Sequence, residues 1–238
     1  MSKKEIPYES KPSVNWLDPV IGILFFFSLV AIGLAVALNF RPFYYWNIDW
    51  LDIEASSGLG ADEIKLNYNA LIDYCSPFFT GELKFPTLTA SASGLSHFAE
   101  VKVIFNIIYI TGLISTLIII PVFIYKLYFK EYRFLRTCAI TSVVVPILLL
   151  LACIINFDGI FILFHKVVFD NDDWMFSPTT DPVIKILPEE FFMGCAIIIA
   201  SVVIIGAVTA FIIYLKKSDN KRPDDESSLI PRKKNYIY

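Results

Sequence analysis

Four long apolar runs constrain this 238-residue chain more than any other feature of its sequence. They cover about residues 20–40, 103–125, 137–157 and 193–215, and each run carries few or no charged side chains. A helix needs roughly 20 apolar residues to cross the hydrocarbon core of a bilayer. The hydrophobic share of the chain, 56%, is also above that of most soluble domains. We therefore predict an α-helical integral membrane protein with four transmembrane helices.

The first apolar run has two interpretations. It ends near Ala35, Val36 and Ala37, a small-residue pattern that resembles a signal-peptide cleavage site. However, its apolar core is longer than that of a typical signal peptide, and the basic segment before it is long. We therefore expect a retained transmembrane helix.

Basic side chains indicate how the helices are oriented. Of the 20 lysines and arginines, 14 lie in the N-terminal segment 1–19, the short loop after the second run, or the C-terminal segment 216–238. Of the 23 acidic residues, 15 lie in the two long segments 41–102 and 158–192. Because cytoplasmic loops carry an excess of lysine and arginine, we predict that both termini are cytoplasmic and that the two long segments lie outside the cell.

The same pattern divides the chain into three parts. Residues 1–19 form a cytoplasmic tail, and residues 20–215 form a four-helix membrane domain whose two outer segments build a small cap. Residues 216–238 are rich in charge and have no periodic apolar face, so we predict a disordered cytoplasmic tail. Within the cap, the pattern predicts a helix that starts near Ala61 and another over 160–169 at the membrane surface.

Composition excludes several classes of function. A net charge of −3 gives no reason to expect a nucleic-acid partner. The four cysteines have no metal-binding spacing, and no disulfide framework or metal site is predicted. The chain has no HExxH, GxSxG or glycine-rich phosphate loop.

The chain has only two histidines, His97 and His165, and both fall just outside apolar runs on the same predicted side of the membrane. Histidine is the natural proton-transfer group near neutral pH. Glu100 follows His97 by three residues, so one helical face would carry both. Two structural histidines among solvated charges remain an alternative, as do a zinc site and a serine–histidine pair.

Three sequence stretches resemble a known family. They are HFAEVK at 97–102, FHKVVF at 164–169, and DDWMFSPTTDPVIKILPEEFF at 172–192. On a four-span scaffold with large outer loops, this set resembles the lipoprotein intramolecular transacylase family, Lit. The sequence has Phe98 at the second position of the first element, and Glu100 where the family more often has aspartate. Both differences preserve the chemical type.

The resemblance implies an activity in the membrane of a bacterial cell. The enzyme would move the sn-2 acyl chain of an S-diacylglyceryl-cysteine lipoprotein onto its N-terminal α-amine. The product would be an N-acyl, lyso-form lipoprotein. The implied partners are diacylated lipoproteins and membrane lipid, with no cofactor and no obligate protein partner.

The resemblance also suggests roles for individual residues. It assigns His97 as the leading base, His165 as its catalytic partner, and Glu100 as an acid that orients an imidazole. Three further residues are weaker candidates for headgroup, peptide or oxyanion contacts: Lys102, Asn69 and Asp173.

Two other functions stay open at this point. A membrane lipid hydrolase or a metallopeptidase would use the same histidines for a different reaction. A non-catalytic lipid- or protein-binding membrane module would need them only as structural groups.

Overall fold

Four long helices form the body of the protein. The computed structural model describes residues 16–219. Within that range the long helices are α1 (Leu17–Asn39), α5 (Ala92–Tyr128), α6 (Arg133–Ile155) and α8 (Glu189–Asp219). Each is long and apolar enough to cross a membrane. The prediction of four membrane helices is therefore confirmed.

Shorter helices occupy the two segments between α1 and α5 and between α6 and α8. The first segment contains α2 (Arg41–Trp50), α3 (Ile53–Ser57) and α4 (Ala61–Cys75). The second contains α7 (Phe157–Val168) and a 3₁₀ turn at Pro182–Lys185. The helix predicted near Ala61 is α4. The helix predicted over 160–169 is α7, which begins three residues earlier and ends at Val168.

The membrane helix α5 begins earlier than its apolar run. It starts at Ala92 rather than near residue 103, because Ser91 caps it by accepting a hydrogen bond at Oγ from the backbone N–H of Gly94 (3.0 Å). At 37 residues it is about 55 Å long, whereas the bilayer core is only about 30 Å thick. Residues 92–102 therefore precede the membrane-spanning run 103–125 and belong to the cap.

The helix α8 extends further than predicted. The sequence predicts a disordered tail over 216–238, but residues 216–219 are helical. Lys216 and Lys217 lie in the last turn, where their charges interact favourably with the negative end of the helix dipole. The rest of that tail, and residues 1–15 of the predicted N-terminal tail, lie outside the described residues.

Small residues allow the membrane helices to pack closely. A Cβ atom on Gly112 of α5 would lie 2.1 Å from Cβ of Ala31 in α1, and one on Gly33 of α1 would lie 3.0 Å from Cα of Ile199 in α8. Such close backbone approach is typical of helix interfaces in membranes. Large apolar side chains instead cover the outer faces of the helices, as with Leu117, which is 64% exposed.

The two outer segments fold together around one apolar cluster, which we call the cap core. It is built around Tyr44, Tyr68 and Phe191. The rings of Tyr44 and Tyr68 stack with centroids 3.6 Å apart, and the Tyr44 hydroxyl donates a 2.6 Å hydrogen bond to the carbonyl of Ile186. Asn67 binds the loop before α5, because its Oδ1 accepts hydrogen bonds from two successive backbone N–H groups of that loop. The cap therefore links both outer segments.

Candidate active site

The two histidines lie side by side in the cap. His97 is in the second turn of α5, and His165 is in the last turn of α7. Their ring centroids are 5.8 Å apart. Both residues are nearly shielded from solvent, at 5% and 8% exposure. The fold therefore brings together two side chains that are 68 positions apart in the sequence. We call them and the residues around them the histidine site.

Aromatic side chains surround this pair. The ring of Phe169 lies 4.7 Å from His97 and 5.6 Å from His165, measured between centroids. Phe176 lies 5.5 Å from His97, and Trp174 lies 4.9 Å from His165. Such apolar walls exclude water, which strengthens electrostatic interactions inside the site.

The ring of His165 has a defined protonation pattern. Its Nδ1 lies 2.7 Å from the carbonyl oxygen of Phe161, one turn earlier in α7. Since a carbonyl oxygen only accepts hydrogen bonds, Nδ1 carries the proton and donates it. The neutral ring therefore keeps its lone pair on Nε2. Burial lowers the pKa of His165, while this hydrogen bond partly opposes that shift by favouring the charged form.

His97 is held as a neutral imidazole. Its Nδ1 is buried and has no hydrogen-bond partner among the described residues. Burial, together with the neighbouring charge of a protonated His165, lowers the pKa of His97 to about 4, although the Asp173 carboxylate acts in the opposite direction. His97 therefore remains uncharged throughout the neutral pH range.

Glu100 contacts Asn171 rather than a histidine ring. Asn171 Nδ2 donates a 2.8 Å hydrogen bond to Glu100 Oε1, and Asn171 Oδ1 accepts one from the backbone N–H of Asp173. The second carboxylate oxygen, Oε2, is buried without a partner in the described part of the chain. In this structure Glu100 anchors the segment after α7 to α5, which differs from the expected role of orienting an imidazole.

Of the three weaker candidates, Asp173 acts on the site electrostatically, because its carboxylate raises the pKa of His97 against the effect of burial. Lys102 instead donates from Nζ to the carbonyl of Phe79 (2.9 Å) and lies over the ring of Tyr74. Asn69 accepts hydrogen bonds from Arg41 and Tyr45. Neither Lys102 nor Asn69 bonds to a histidine within residues 16–219. Because both lie outside the apolar runs, sequence alone could not show which neighbours they contact.

Asp181 fixes the start of α5 to the second outer segment. It is only 2% exposed, and its Oδ1 accepts a 2.7 Å hydrogen bond from the backbone N–H of Ser91. Hydrogen bonds from Thr180 and Ser91 hold the pKa of Asp181 below its usual range, although burial acts in the opposite direction. A Cβ atom on Gly94 would lie 2.3 Å from this Oδ1, so the helix approaches the carboxylate as closely as glycine permits. His97 lies one turn further along.

The sequence patterns do not single out three residues of the site: Asn171, Trp174 and Asp181. All lie in the DNDDWMFSPTTD stretch, where they could be taken for ordinary loop residues. A tryptophan inside a strongly polar segment was the available signal, because a large aromatic ring needs a place to pack. The partners of the polar side chains belong to α5 and could not be read from the local sequence.

The site offers proton transfer without an obvious protein nucleophile. Within the described residues, no serine, threonine or cysteine forms a hydrogen bond with either imidazole. The same residues contain no group of three or more histidine, cysteine, aspartate and glutamate side chains arranged to hold a metal ion. The chemical groups at hand are two imidazoles, carboxylates on the same cap, and an indole N–H that is buried without a partner.

The opposite end of the helices carries a different set of groups. There Lys126 of α5 lies between Asp18 of α1 (3.1 Å) and Glu131 (3.2 Å). A cavity of about 650 Å³ opens beside them, lined by Arg133 and Arg136 among others. No histidine lines it, so this cavity is separate from the paired imidazoles.

Comparison with known proteins identifies the family. The model of the family "Lipoprotein intramolecular transacylase Lit" matches residues 20–192. The in meso structure of the membrane integral lipoprotein intramolecular transacylase Lit from Bacillus cereus is 37% identical, with a TM-score of 0.81, and the match covers 87% of this chain and 98% of that chain. Structures of two variants of the Bacillus cereus protein, each with one histidine replaced, match at the same identity with TM-scores of 0.76 and 0.77 and cover 94% of those chains. No curated protein matches. The chain belongs to the lipoprotein intramolecular transacylase family, and it is an acyltransferase.

Proposed function

We propose that this protein moves the sn-2 acyl chain of an S-diacylglyceryl-cysteine lipoprotein to the α-amine of the same cysteine. The paired histidines catalyse the transfer by accepting and donating protons. The product is a lyso-form lipoprotein with an amide-linked acyl chain. The observation that carries this proposal is the position of the two imidazoles, 5.8 Å apart and enclosed by aromatic rings. The substrate carries both the amine and the ester, so the protein needs to supply only proton transfer and positioning.

Acid–base catalysis needs a neutral imidazole beside the amine. The α-amine has a pKa of about 7.7–8.0 and attacks in its neutral form. A neutral imidazole can take a proton from the amine as the C–N bond forms and then deliver it to the departing sn-2 oxygen. His97, whose pKa is lowered to about 4, is neutral at physiological pH, but a pKa that low makes it a weak base for this step.

The division of labour follows from the hydrogen bonds. The Nδ1–H of His165 is anchored by the Phe161 carbonyl, so its Nε2 is oriented as a base, and the imidazolium that forms keeps the same partner. His97 has no such anchor. We assign proton abstraction to His165 and a supporting acid–base role to His97, which reverses the roles that the sequence suggested.

Substrate geometry accounts for much of the rate enhancement beyond acid–base catalysis. Attack of the amine on the ester closes a cyclic tetrahedral intermediate within one molecule. Well-oriented intramolecular pairs reach effective molarities of about 10⁵–10⁸ M. Exchange of an ester for an amide is downhill, so the reaction needs no energy-rich co-substrate and no cofactor.

The charge pattern sets the orientation. The loop between α5 and α6 carries Lys130, and the first turn of α6 carries Arg133 and Arg136. All three are exposed at the end of the bundle opposite to the histidine site. Such residues are retained on the cytoplasmic side of bacterial membranes. With this loop and both termini in the cytoplasm, the histidine site faces the extracytoplasmic side, where the headgroup ester of a lipoprotein resides.

A lipid hydrolase is the closest competing function, and one experiment separates the two. The purified protein is incubated with a synthetic S-diacylglyceryl-cysteine lipopeptide, and the products are analysed by tandem mass spectrometry. Acyl transfer leaves the total mass unchanged and places one chain on nitrogen. Release of free fatty acid would instead show hydrolysis, and an unchanged substrate would refute the proposal. Added chelator is expected to have no effect, and zinc-dependent recovery would favour a metallopeptidase.

A further inference from the structure

The indole N–H of Trp174 is a buried hydrogen-bond donor without an acceptor. Its Nε1 is shielded from solvent and has no partner within residues 16–219. An indole N–H can only donate, and a buried tryptophan usually finds an acceptor for it. Leaving such a donor unpaired destabilises the fold. The indole N–H is therefore available to a hydrogen-bond acceptor on a bound molecule.

The donor lies within the histidine site. The Trp174 ring is 4.9 Å from the ring of His165, whose Nε2 makes no hydrogen bond within the described residues. The neighbouring side chain of Asn171 is satisfied, since it bonds to Glu100 and to the backbone of Asp173. His97 Nδ1 and Glu100 Oε2 also lack a partner in the described structure, but of these three buried atoms the indole nitrogen is the one that can only donate.

The cation that would otherwise be the first choice for stabilising an oxyanion is engaged elsewhere. Lys102 Nζ donates to the Phe79 carbonyl and packs over aromatic rings of the first outer segment. Asn69 is bonded to Arg41 and Tyr45. Since neither has a contact to a histidine among the described residues, a different donor is needed beside the base.

We infer that Trp174 is a further catalytic residue, whose Nε1–H donates a hydrogen bond to the carbonyl oxygen of the sn-2 ester and to the oxyanion formed from it. This inference rests on the proposed acyl transfer. The ring centroids of Trp174 and His165 are 4.9 Å apart, so a single ester group can contact both side chains. A donor-only group suits developing negative charge, because it does not repel an oxygen lone pair.

The step balances without any further reactant. The deprotonated α-amine forms a C–N bond to the sn-2 carbonyl carbon, and the carbonyl π-electrons move to the oxygen that Trp174 binds. The amine proton passes to His165 Nε2. The oxyanion then reforms the carbonyl, the bond from carbon to the sn-2 oxygen breaks, and that oxygen takes the proton back from the imidazolium.

The test removes the N–H and keeps the ring. In one variant Trp174→Phe preserves an aromatic side chain, and in a second variant 3-benzothienylalanine at position 174 preserves the bicyclic shape with sulfur in place of N–H. Loss of a single oxyanion donor lowers kcat by about 10²–10³-fold, and we expect this loss in both variants with little change in KM. Trp50→Phe is the matched control, because Trp50 is 70% exposed and stacks on the ring of Trp46.

A second readout separates catalysis from packing. A thionoester substrate, whose sulfur accepts hydrogen bonds poorly, gains little from the indole N–H. We expect wild-type protein to discriminate strongly between ester and thionoester, and both variants to lose most of that discrimination. Wild-type kcat in the benzothienylalanine variant would overturn the inference. Absence of acyl transfer by the wild-type protein would instead overturn the proposed function, so the two failures are distinguishable.

Discussion

The cap contains two regions that are equally buried and opposite in character. In the cap core, Tyr44 is fully buried and its hydroxyl is bonded to the Ile186 carbonyl. In the histidine site, His97 is almost as buried, yet its Nδ1 has no partner in the described structure. Buried polar groups without partners destabilise a fold. The cap core therefore stabilises the cap. The histidine site lowers the stability of the cap, because its polar atoms stay unpaired and available to a substrate.

Replacing a histidine tests the reactive half of this comparison and has the largest expected effect. We expect His97→Phe and His165→Phe each to lower the rate of acyl transfer by about 10²–10⁴-fold, the usual contribution of acid–base catalysis. The thermal midpoint in detergent is expected to stay the same or rise for His97→Phe, because a phenyl ring fits the aromatic surroundings and removes an unpaired nitrogen. Mass spectrometry of product and a thermal unfolding assay measure the two quantities. Full activity in both variants would contradict the catalytic assignment.

Acidification sharpens the same contrast. The pKa of His97 in the folded protein is about 4, below the reference value of about 6.5 for an unfolded chain. Between these values the unfolded state binds more protons, so the stability contributed by the neutral ring is present above pH 6.5 and is lost as pH falls towards 4. The slope is at most about 1.4 kcal/mol per pH unit. Thermal midpoints measured from pH 7 to pH 5 should fall more for wild-type protein than for His97→Phe, and parallel curves would refute this account.

The contact between α5 and Asp181 joins the two regions. Gly94→Ala places a methyl group 2.3 Å from Asp181 Oδ1 and pushes α5 away from the carboxylate. We expect a loss of about 1–3 kcal/mol in unfolding free energy, together with slower acyl transfer, because His97 lies one turn from the displaced residue. Gly60→Ala is the control, since an added Cβ there meets nothing within 4 Å. Equal stability of the two variants would show that the close approach has no consequence.

A single hydroxyl tests the cap core and has the smallest expected effect. Tyr44→Phe keeps the stacked ring and removes the hydrogen bond to Ile186, so we expect a loss of about 1 kcal/mol in unfolding free energy. The rate of acyl transfer per folded molecule should not change. Tyr128→Phe, at a residue that is 79% exposed, serves as the control. A large loss of activity with unchanged stability would mean that the two regions are not separate.

Local patterns in the sequence were enough to predict the four membrane helices. A long apolar run in lipid must satisfy its backbone hydrogen bonds internally, and an α-helix does so. They also predicted a helix that starts near Ala61 and another over 160–169, close to the observed α4 and α7. The early start of α5 was missed, since it depends on the Ser91 cap and on Asp181, 90 residues away. Residues that read as polar loop positions became helical once the cap supplied partners for them.

The site was predictable only in part for the same reason. The two histidines stood out because the chain has no others, and the fold brings them together. The partner of Glu100 could not be predicted, because Asn171 reaches it through the packing of the segment after α7 against α5. The N–H of Trp174 becomes conspicuous only when its surroundings are known to lack an acceptor.

The central claim is that the histidine site moves an acyl chain within one substrate molecule, and a crossover measurement tests it most directly. Two lipopeptides are mixed, one with a deuterated sn-2 chain and the other with an isotope-labelled peptide, and the N-acylated products are sorted by tandem mass spectrometry. We predict that wild-type protein yields only products in which chain and peptide come from the same molecule, and that His165→Phe yields almost none. Products that combine the deuterated chain with the labelled peptide would contradict the account.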